Sequence, residues 1–250
     1  MTNITELKNG PIYPEGPLYG DVLAAQTPQE LRQILASDVH NRAEVFADEH
    51  HPFDPEEPFI IYRPMNRLPE LGTGLATIKL AMMEMHLDPN EPYLLLFAPQ
   101  SASWMAEVIR YSNILPNSEI LWATKNFDKI RPQADVVTIM TRSYTQNRQP
   151  DGSRSHVPLY IVNPGQIIDR RIVGFDDVLA EGFTPQDITT ALKWLGAGQI
   201  DWAVTLSKGR IQGGTNRVTE SGLVSNLVEA IQVQQVHGPG YGQIELVNGH

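Results

Sequence analysis

Cysteine is missing altogether from the 250 residues, which removes disulfide frameworks and thiolate chemistry from consideration. Basic residues are in short supply as well, with 19 Lys and Arg against 29 Asp and Glu and a formal charge of −10. An extended nucleic-acid surface needs clustered Lys and Arg to neutralise phosphates, so that class is disfavoured. A pocket for a single phosphate needs only a few local donors and is compatible with the charge. No apolar run approaches the roughly 20 residues that a membrane span requires. The opening stretch, MTNITELKNGPIYPEG, lacks the basic and apolar regions of a signal peptide. A soluble, cytoplasmic protein is the expectation. The length accommodates one large or two small domains with a sizeable core.

The most informative stretch runs from Arg170 to Leu195, RRIVGFDDVLAEGFTPQDITTALKWL, and reads as strand, loop and helix in succession. Ile172, Val173 and Phe175 form a short run of strand formers that is expected to end on Asp176 and Asp177. After Gly182, the residues Thr184, Pro185 and Asp187 spell an N-cap, a first helical position and a capping-box partner. Ile188, Ala191, Leu192 and Leu195 recur at helical spacing until Gly196 or Gly198 stops the helix. In an open α/β sheet such a strand end faces the ligand crevice. The amides of the loop and helix start suit an anion, and the acids suit a divalent metal or a developing cation.

Elsewhere, Thr27-Pro28-Gln29-Glu30 opens a second well-punctuated helix through Leu31, Ile34, Leu35 and Val39. His50, His51 and Asp54 lie in HHPFDPEEP, where the prolines favour an exposed loop over a metal site. Phe59–Tyr62 is a short strand candidate, and Leu71, Leu75, Ile78, Met82 and Met85 mark a long helix with Met as core filler. Tyr93–Ala98 is expected to be a buried strand running into the small-residue loop PQSAS and a helix marked by Trp104, Val108, Tyr111 and Leu115. Glu119–Thr124 reads as one strand with Lys125 just beyond it. From Asn126 to Ser155 the chain is polar and basic, carrying Lys129, Arg131, Arg142, Arg148 and Arg154. Val136–Met140 forms a strand there, and NRQPDGSRS is a turn or mobile loop. Val157–Val162 and Gln199–Lys208 are further strands, and Leu223, Leu227, Val228 and Ile231 point to a C-terminal helix. One last strand is expected at Gln243–Val247.

DDVLAEGFT resembles the ribose-phosphate signature of type I phosphoribosyltransferases, two acids followed by a small, glycine-containing, hydroxyl-bearing turn. The resemblance covers roughly residues 58–210. The strand ending in Lys125, the hairpin returning through Ser155 and His156, and the strand ending in Lys208 look most like the xanthine and adenine branch. It implies that Asp176 and Asp177 hold the ribose hydroxyls of phosphoribosyl pyrophosphate. Ala180, Glu181, Gly182, Phe183 and Thr184 would bind its 5′-phosphate. Ser101, Ala102, Ser103 and Lys125 would receive pyrophosphate, and Lys208 would contact the base. It further implies Mg2+, bridged to Asp176 and Asp177 through the substrate, and a homodimer. Glu181 departs from the pattern, since a carboxylate aimed at a phosphate is repulsive. Its side chain is therefore expected to turn outward.

The alternation of strands and helices argues for an α/β fold, a mainly parallel twisted sheet flanked by helices. Residues 1–57 are expected to form an N-terminal hood and helical segment, 58–210 a phosphoribosyltransferase-like core, and 211–250 a C-terminal helix and tail. Three functions fit this reading: transfer of ribose 5-phosphate to a purine-like nucleobase, a non-catalytic nucleotide-sensing regulator, and an enzyme of the same fold acting on another sugar.

Overall fold

The computed structural model describes residues 19–49, 52–62, 71–99, 102, 104–142 and 155–247. Two helices open the described chain, α1 (Tyr19–Ala24) and α2 (Pro28–Arg42). Helix α2 has the capping box read from its sequence. The Glu30 amide donates to Thr27 Oγ1, the Thr27 amide donates back to Glu30 Oε2, and Pro28 occupies the first turn. Its stripe of Leu31, Leu35 and Val39 is fully buried. Strands β1 (Ala43–Phe46) and β2 (Phe59–Tyr62) then pair antiparallel, with β11 (Gly240–Tyr241) on the far side of β1. The segment Phe59–Tyr62 is thus a strand of this small terminal sheet and does not join the parallel one.

The main sheet begins after helix α3 (Leu71–Glu84) with β3 (Leu94–Phe97), followed by α4 (Met105–Ser112) and β4 (Glu119–Leu121). Three short or antiparallel strands come next, β5 (Ala123–Thr124), β6 (Val136–Arg142) and β7 (His156–Val162). The chain then re-enters the main sheet as β8 (Ile172–Leu179), α5 (Phe183–Trp194) and β9 (Ile200–Ser207). It continues through α6 (Gly209–Gln212) and α7 (Gly214–Glu220) to β10 (Asn226–Val236) and β12 (Ile244–Leu246). The order across the main sheet is β12-β10-β9-β8-β3-β4, with every pairing parallel except β10 with β12.

Alternation along these strands builds two cores. Leu95, Phe97, Val173, Phe175 and Ala203 face α3 and α4, whereas Leu94, Leu96, Ile172, Ile200 and Trp202 face α5 through Ile188 and Leu192. Gly174 makes room for the largest of these side chains. A Cβ there would stand 2.6 Å from the Trp202 indole, whose Nε1 donates to Thr189 Oγ1 on α5 at 2.8 Å.

Two sequence expectations fail for physical reasons. Leu223, Leu227 and Ile231 are spaced like a helix stripe, yet 226–236 is strand β10. Within it Leu227 packs toward the α5 side and Val228 toward the α3 side, opposite faces for consecutive residues. Glu119–Thr124 is also not one strand. It breaks at Trp122, so that β4 stays in the main sheet while β5 joins β7 and β6 in a separate antiparallel sheet. Among the described residues no helix is long and apolar enough to cross a membrane.

Candidate active site

Strands β3 and β8 lie side by side, but their onward connections diverge, from β3 to β4 in one direction and from β8 to β9 and β10 in the other. That divergence makes the carboxyl ends of the two strands a switch point, the place where open α/β sheets form their ligand crevice. The β3–β8 ladder stops at Phe97↔Phe175, with one more bond from the Ala98 amide to the Phe175 carbonyl at 2.8 Å. Asp176 and Asp177 come immediately afterwards. Strand β8 does not end on them as expected. It continues to Leu179 along β9, because only its β3 side is vacated. Asp176 is buried and Asp177 half-buried. Asp176 Oδ1 accepts the Asp177 amide at 2.9 Å, and Asp177 Oδ1 accepts the Val178 amide at 2.8 Å, which holds both carboxylates against the backbone.

The turn that follows is seated on helix α7 with main chain against main chain at Gly214. A Cβ on Gly214 would come within 1.9 Å of the Ala180 carbonyl oxygen, and one on Gly182 within 2.7 Å of the Gly214 oxygen. Gly182 has φ +75°, a conformation glycine adopts without strain, and it caps α5 in place of the anticipated Thr184. The capping box does not form because Asp187 has another partner. Its carboxylate accepts the Arg142 amide at 2.8 Å and pairs with the Arg142 guanidinium at 2.5 Å. Helix α5 therefore starts at Phe183, and its first amides have no intrahelical acceptor.

Arg142 is the last residue of β6, so this ion pair latches the small β5-β7-β6 sheet onto the start of α5. Its Nη2 also donates to Gln186 Oε1 at 2.8 Å, and its guanidinium stacks 4.0 Å from the Phe183 ring centroid. The guanidinium of Arg217, from α7, stacks on the same ring at 4.1 Å. Lys125 follows β5 in the small sheet and is half-buried. Ala102, after β3, is fully buried in the core, while Ser101, Ser103 and residues 143–154 lie outside the described residues.

Lys208 closes β9 and is only 1 % exposed, unlike the surface Lys that a strand end ordinarily carries. Its amide donates to the Leu179 carbonyl at 2.9 Å, and its Nζ donates to the Pro58 carbonyl just before β2. Burial brings its pKa down to about 7, opposed by the nearby charges of Glu181 and Glu57. Glu181 thus does not turn fully outward. Its Oε2 is shielded from solvent and the side chain lies in the field of Lys208. Thr215 Oγ1 and Ser207 Oγ both donate to Glu229 on β10, which ties α7 to the ends of β9 and β10.

No protein-family model and no curated sequence matches the chain. Solved structures do. The chain is similar to the APRTase of Giardia lamblia in complex with 9-deazaadenine, with a TM-score of 0.56 at 15% identity, over 78% of this chain and 96% of that one. It is also similar to adenine phosphoribosyltransferase of Trypanosoma brucei in complex with AMP, pyrophosphate and ribose-5-phosphate, with a TM-score of 0.54 at 18% identity, over 80% and 78%. The Saccharomyces cerevisiae adenine phosphoribosyltransferase gives 0.51 at 10% identity, over 81% and 99%. The fold is that of the type I phosphoribosyltransferases.

On this phosphoribosyltransferase fold, the structure brings Asp176, Asp177 and the 180–184 turn together at the switch point and gathers Glu181 and Lys208 behind it. Sequence reasoning missed Arg217, Gly213-Gly214 and the role of Asp187. The sequence signal for the first two was GGTNR, a glycine pair opening a short helix with a basic residue one turn in. Among the described residues no group of three His, Cys, Asp or Glu is gathered to hold a metal.

The titration of Lys208 has a measurable consequence. Its folded pKa of about 7 lies below the ordinary 10.5, so within that window the unfolded chain holds a proton that the folded chain lacks. Stability should rise as pH rises through the window, by an amount on the order of a few kcal/mol, and the whole cost of burying the charge is in place below it. Urea unfolding of the wild type and Lys208→Met across the window checks this. The wild type should gain on the variant as pH rises, and parallel curves would refute it.

Proposed function

We propose that the chain transfers ribose 5-phosphate from phosphoribosyl pyrophosphate to a purine-like base and releases pyrophosphate. The observation that carries this reading is the placement of Asp176 and Asp177 at the switch-point crevice, with a glycine-seated turn and the start of a 12-residue helix directly after them. In the reaction the bond from the ribose anomeric carbon to pyrophosphate oxygen breaks. A bond from that carbon to a ring nitrogen of the base forms, the proton on that nitrogen leaves to water or to the departing pyrophosphate, and the ribose ring passes through a cationic state. The two carboxylates hold the ribose hydroxyls and favour that positive charge. The 180–184 turn binds the 5′-phosphate through its amides and Thr184. The loop at 101–103 and Lys125 receive pyrophosphate, and the latched β5-β7-β6 sheet limits access of water. Asp176 and Asp177 would meet a magnesium ion only through the substrate, and the ion would neutralise charge on the departing pyrophosphate.

The purine reading is supported by the neighbours, whose bound groups include 9-deazaadenine and AMP. Lys208 donates to the Pro58 carbonyl and not into open space, so its service to the base is by shaping the end of β9. A screen by mass spectrometry of phosphoribosyl pyrophosphate consumption against a panel of bases tests the proposal. One base should yield its nucleoside monophosphate with an equal amount of pyrophosphate. Tight binding of phosphoribosyl pyrophosphate with no turnover on any base would reject it for the second reading, a nucleotide-sensing regulator. That reading is favoured by Glu181, half-buried within the turn with its Oε2 shielded from solvent.

A further inference from the structure

We infer that Arg217 completes the phosphate subsite of the 180–184 turn and selects a sugar bearing a terminal phosphate, an inference that rests on the transferase reading above. Helix α7 meets the turn main chain to main chain at Gly214, so a side chain one turn further along has a fixed position relative to the turn. Arg217 is held there twice. Its Nε donates to the Glu181 carbonyl oxygen at 2.7 Å, and its guanidinium lies 4.1 Å from the Phe183 ring centroid.

The two arginines on Phe183 differ in one decisive respect. The charge of Arg142 is met by Asp187 at 2.5 Å, whereas among the described residues no carboxylate pairs with Arg217. Nor do its Nη1 and Nη2 hydrogen-bond to any described residue, since its one hydrogen bond runs through Nε. The outer edge of the guanidinium fork is therefore left without a partner among the described residues, beside the turn that the transferase reading assigns to the 5′-phosphate. That edge has the geometry for two parallel bonds to phosphate oxygens. It also answers the difficulty raised by Glu181. The carboxylate lies in the field of buried Lys208, and a cation fixed to the carbonyl of the same residue offsets its repulsion of a phosphate. Stacking on Phe183 pre-orders the guanidinium, so less side-chain freedom is lost on binding.

Isothermal titration of ribose 5-phosphate and of pyrophosphate into wild type, Arg217→Gln and Arg217→Lys tests this. Arg217→Gln should weaken ribose 5-phosphate by about tenfold or more, roughly 1.4 kcal/mol, and leave pyrophosphate affinity unchanged. Arg217→Lys, which keeps the charge but not the fork, should fall between. Two results overturn the inference: ribose 5-phosphate affinity unchanged in Arg217→Gln, or an equal loss for pyrophosphate, the mark of a merely structural role. The test is separable from the transferase reading. A wild type that ignores ribose 5-phosphate but binds inorganic phosphate, with that binding lost in Arg217→Gln, refutes the transferase and sustains the anion site at Arg217. A wild type that binds neither overturns both.

Discussion

Asp177→Asn and Asp176→Asn should each reduce the rate of phosphoribosyl pyrophosphate consumption by roughly 10²- to 10³-fold, the scale on which removing one group that stabilises transition-state charge is felt. Both substitutions keep the side-chain oxygen that accepts a neighbouring amide, at 2.9 Å for Asp176 and 2.8 Å for Asp177. The local backbone is therefore retained while the negative charge is lost. Thermal unfolding should move little for half-buried Asp177 and somewhat more for Asp176, which is 5 % exposed. Steady-state assays beside melting curves separate the two effects. Near-normal turnover combined with a large loss of stability would show the acids to be structural and would remove them from the site.

The largest stability effect should come from outside the site. Asp38 on α2 accepts from Tyr62 at 2.5 Å, from Thr73 Oγ1 at 2.8 Å and from Arg42 Nη2 at 2.8 Å, and Arg42 Nε lies 2.5 Å from its other oxygen. This cluster joins α2, β2 and α3, and burial together with the Asp38 charge pushes the Tyr62 phenol well above its usual range. Asp38→Ala leaves a guanidinium buried without its carboxylate, which should cost about 3–5 kcal/mol in urea unfolding. Removing the charge as well, in Asp38→Leu with Arg42→Met, should recover much of that loss. A single-variant cost near that of an exposed pair, under about 1 kcal/mol, would mean that water reaches Arg42 once the carboxylate is gone.

The sequence was most readable where a segment's environment is decided by its own composition. The runs LLLF, IVGF and WAVTL are apolar on both faces, and they are the buried centre of the sheet. The capping box at Thr27 is local and formed as written. Legibility failed where a distant partner intervened. Thr184-Pro185-Gln186-Asp187 carries a capping pattern equal to that of Thr27, but Arg142, 45 residues away in sequence, takes the Asp187 carboxylate and moves the cap to Gly182. Nothing near Lys208 in sequence announces its burial, because the carbonyl that takes its Nζ is that of Pro58, 150 residues away. Arg217 belongs to the turn only after α7 has folded back onto it. In the site, the acids and glycine of the signature were visible, with Lys125 and Lys208 named beside them, and Arg217 was not.

The seam between Ala180, Gly182 and Gly214 constrains how this protein can be changed. With 1.9 Å between a prospective Gly214 Cβ and the Ala180 oxygen, neither surface has room for a new atom, and an added methyl must displace backbone. Variation in the turn is thereby channelled to the positions that do not form the seam, Glu181 among them. The unusual carboxylate thus stands at a position where ligand preference is adjustable without prising α7 away from β8. A library aimed at altered donor choice would for the same reason randomise 181, 183 and 184 while holding 182 and 214 as glycine.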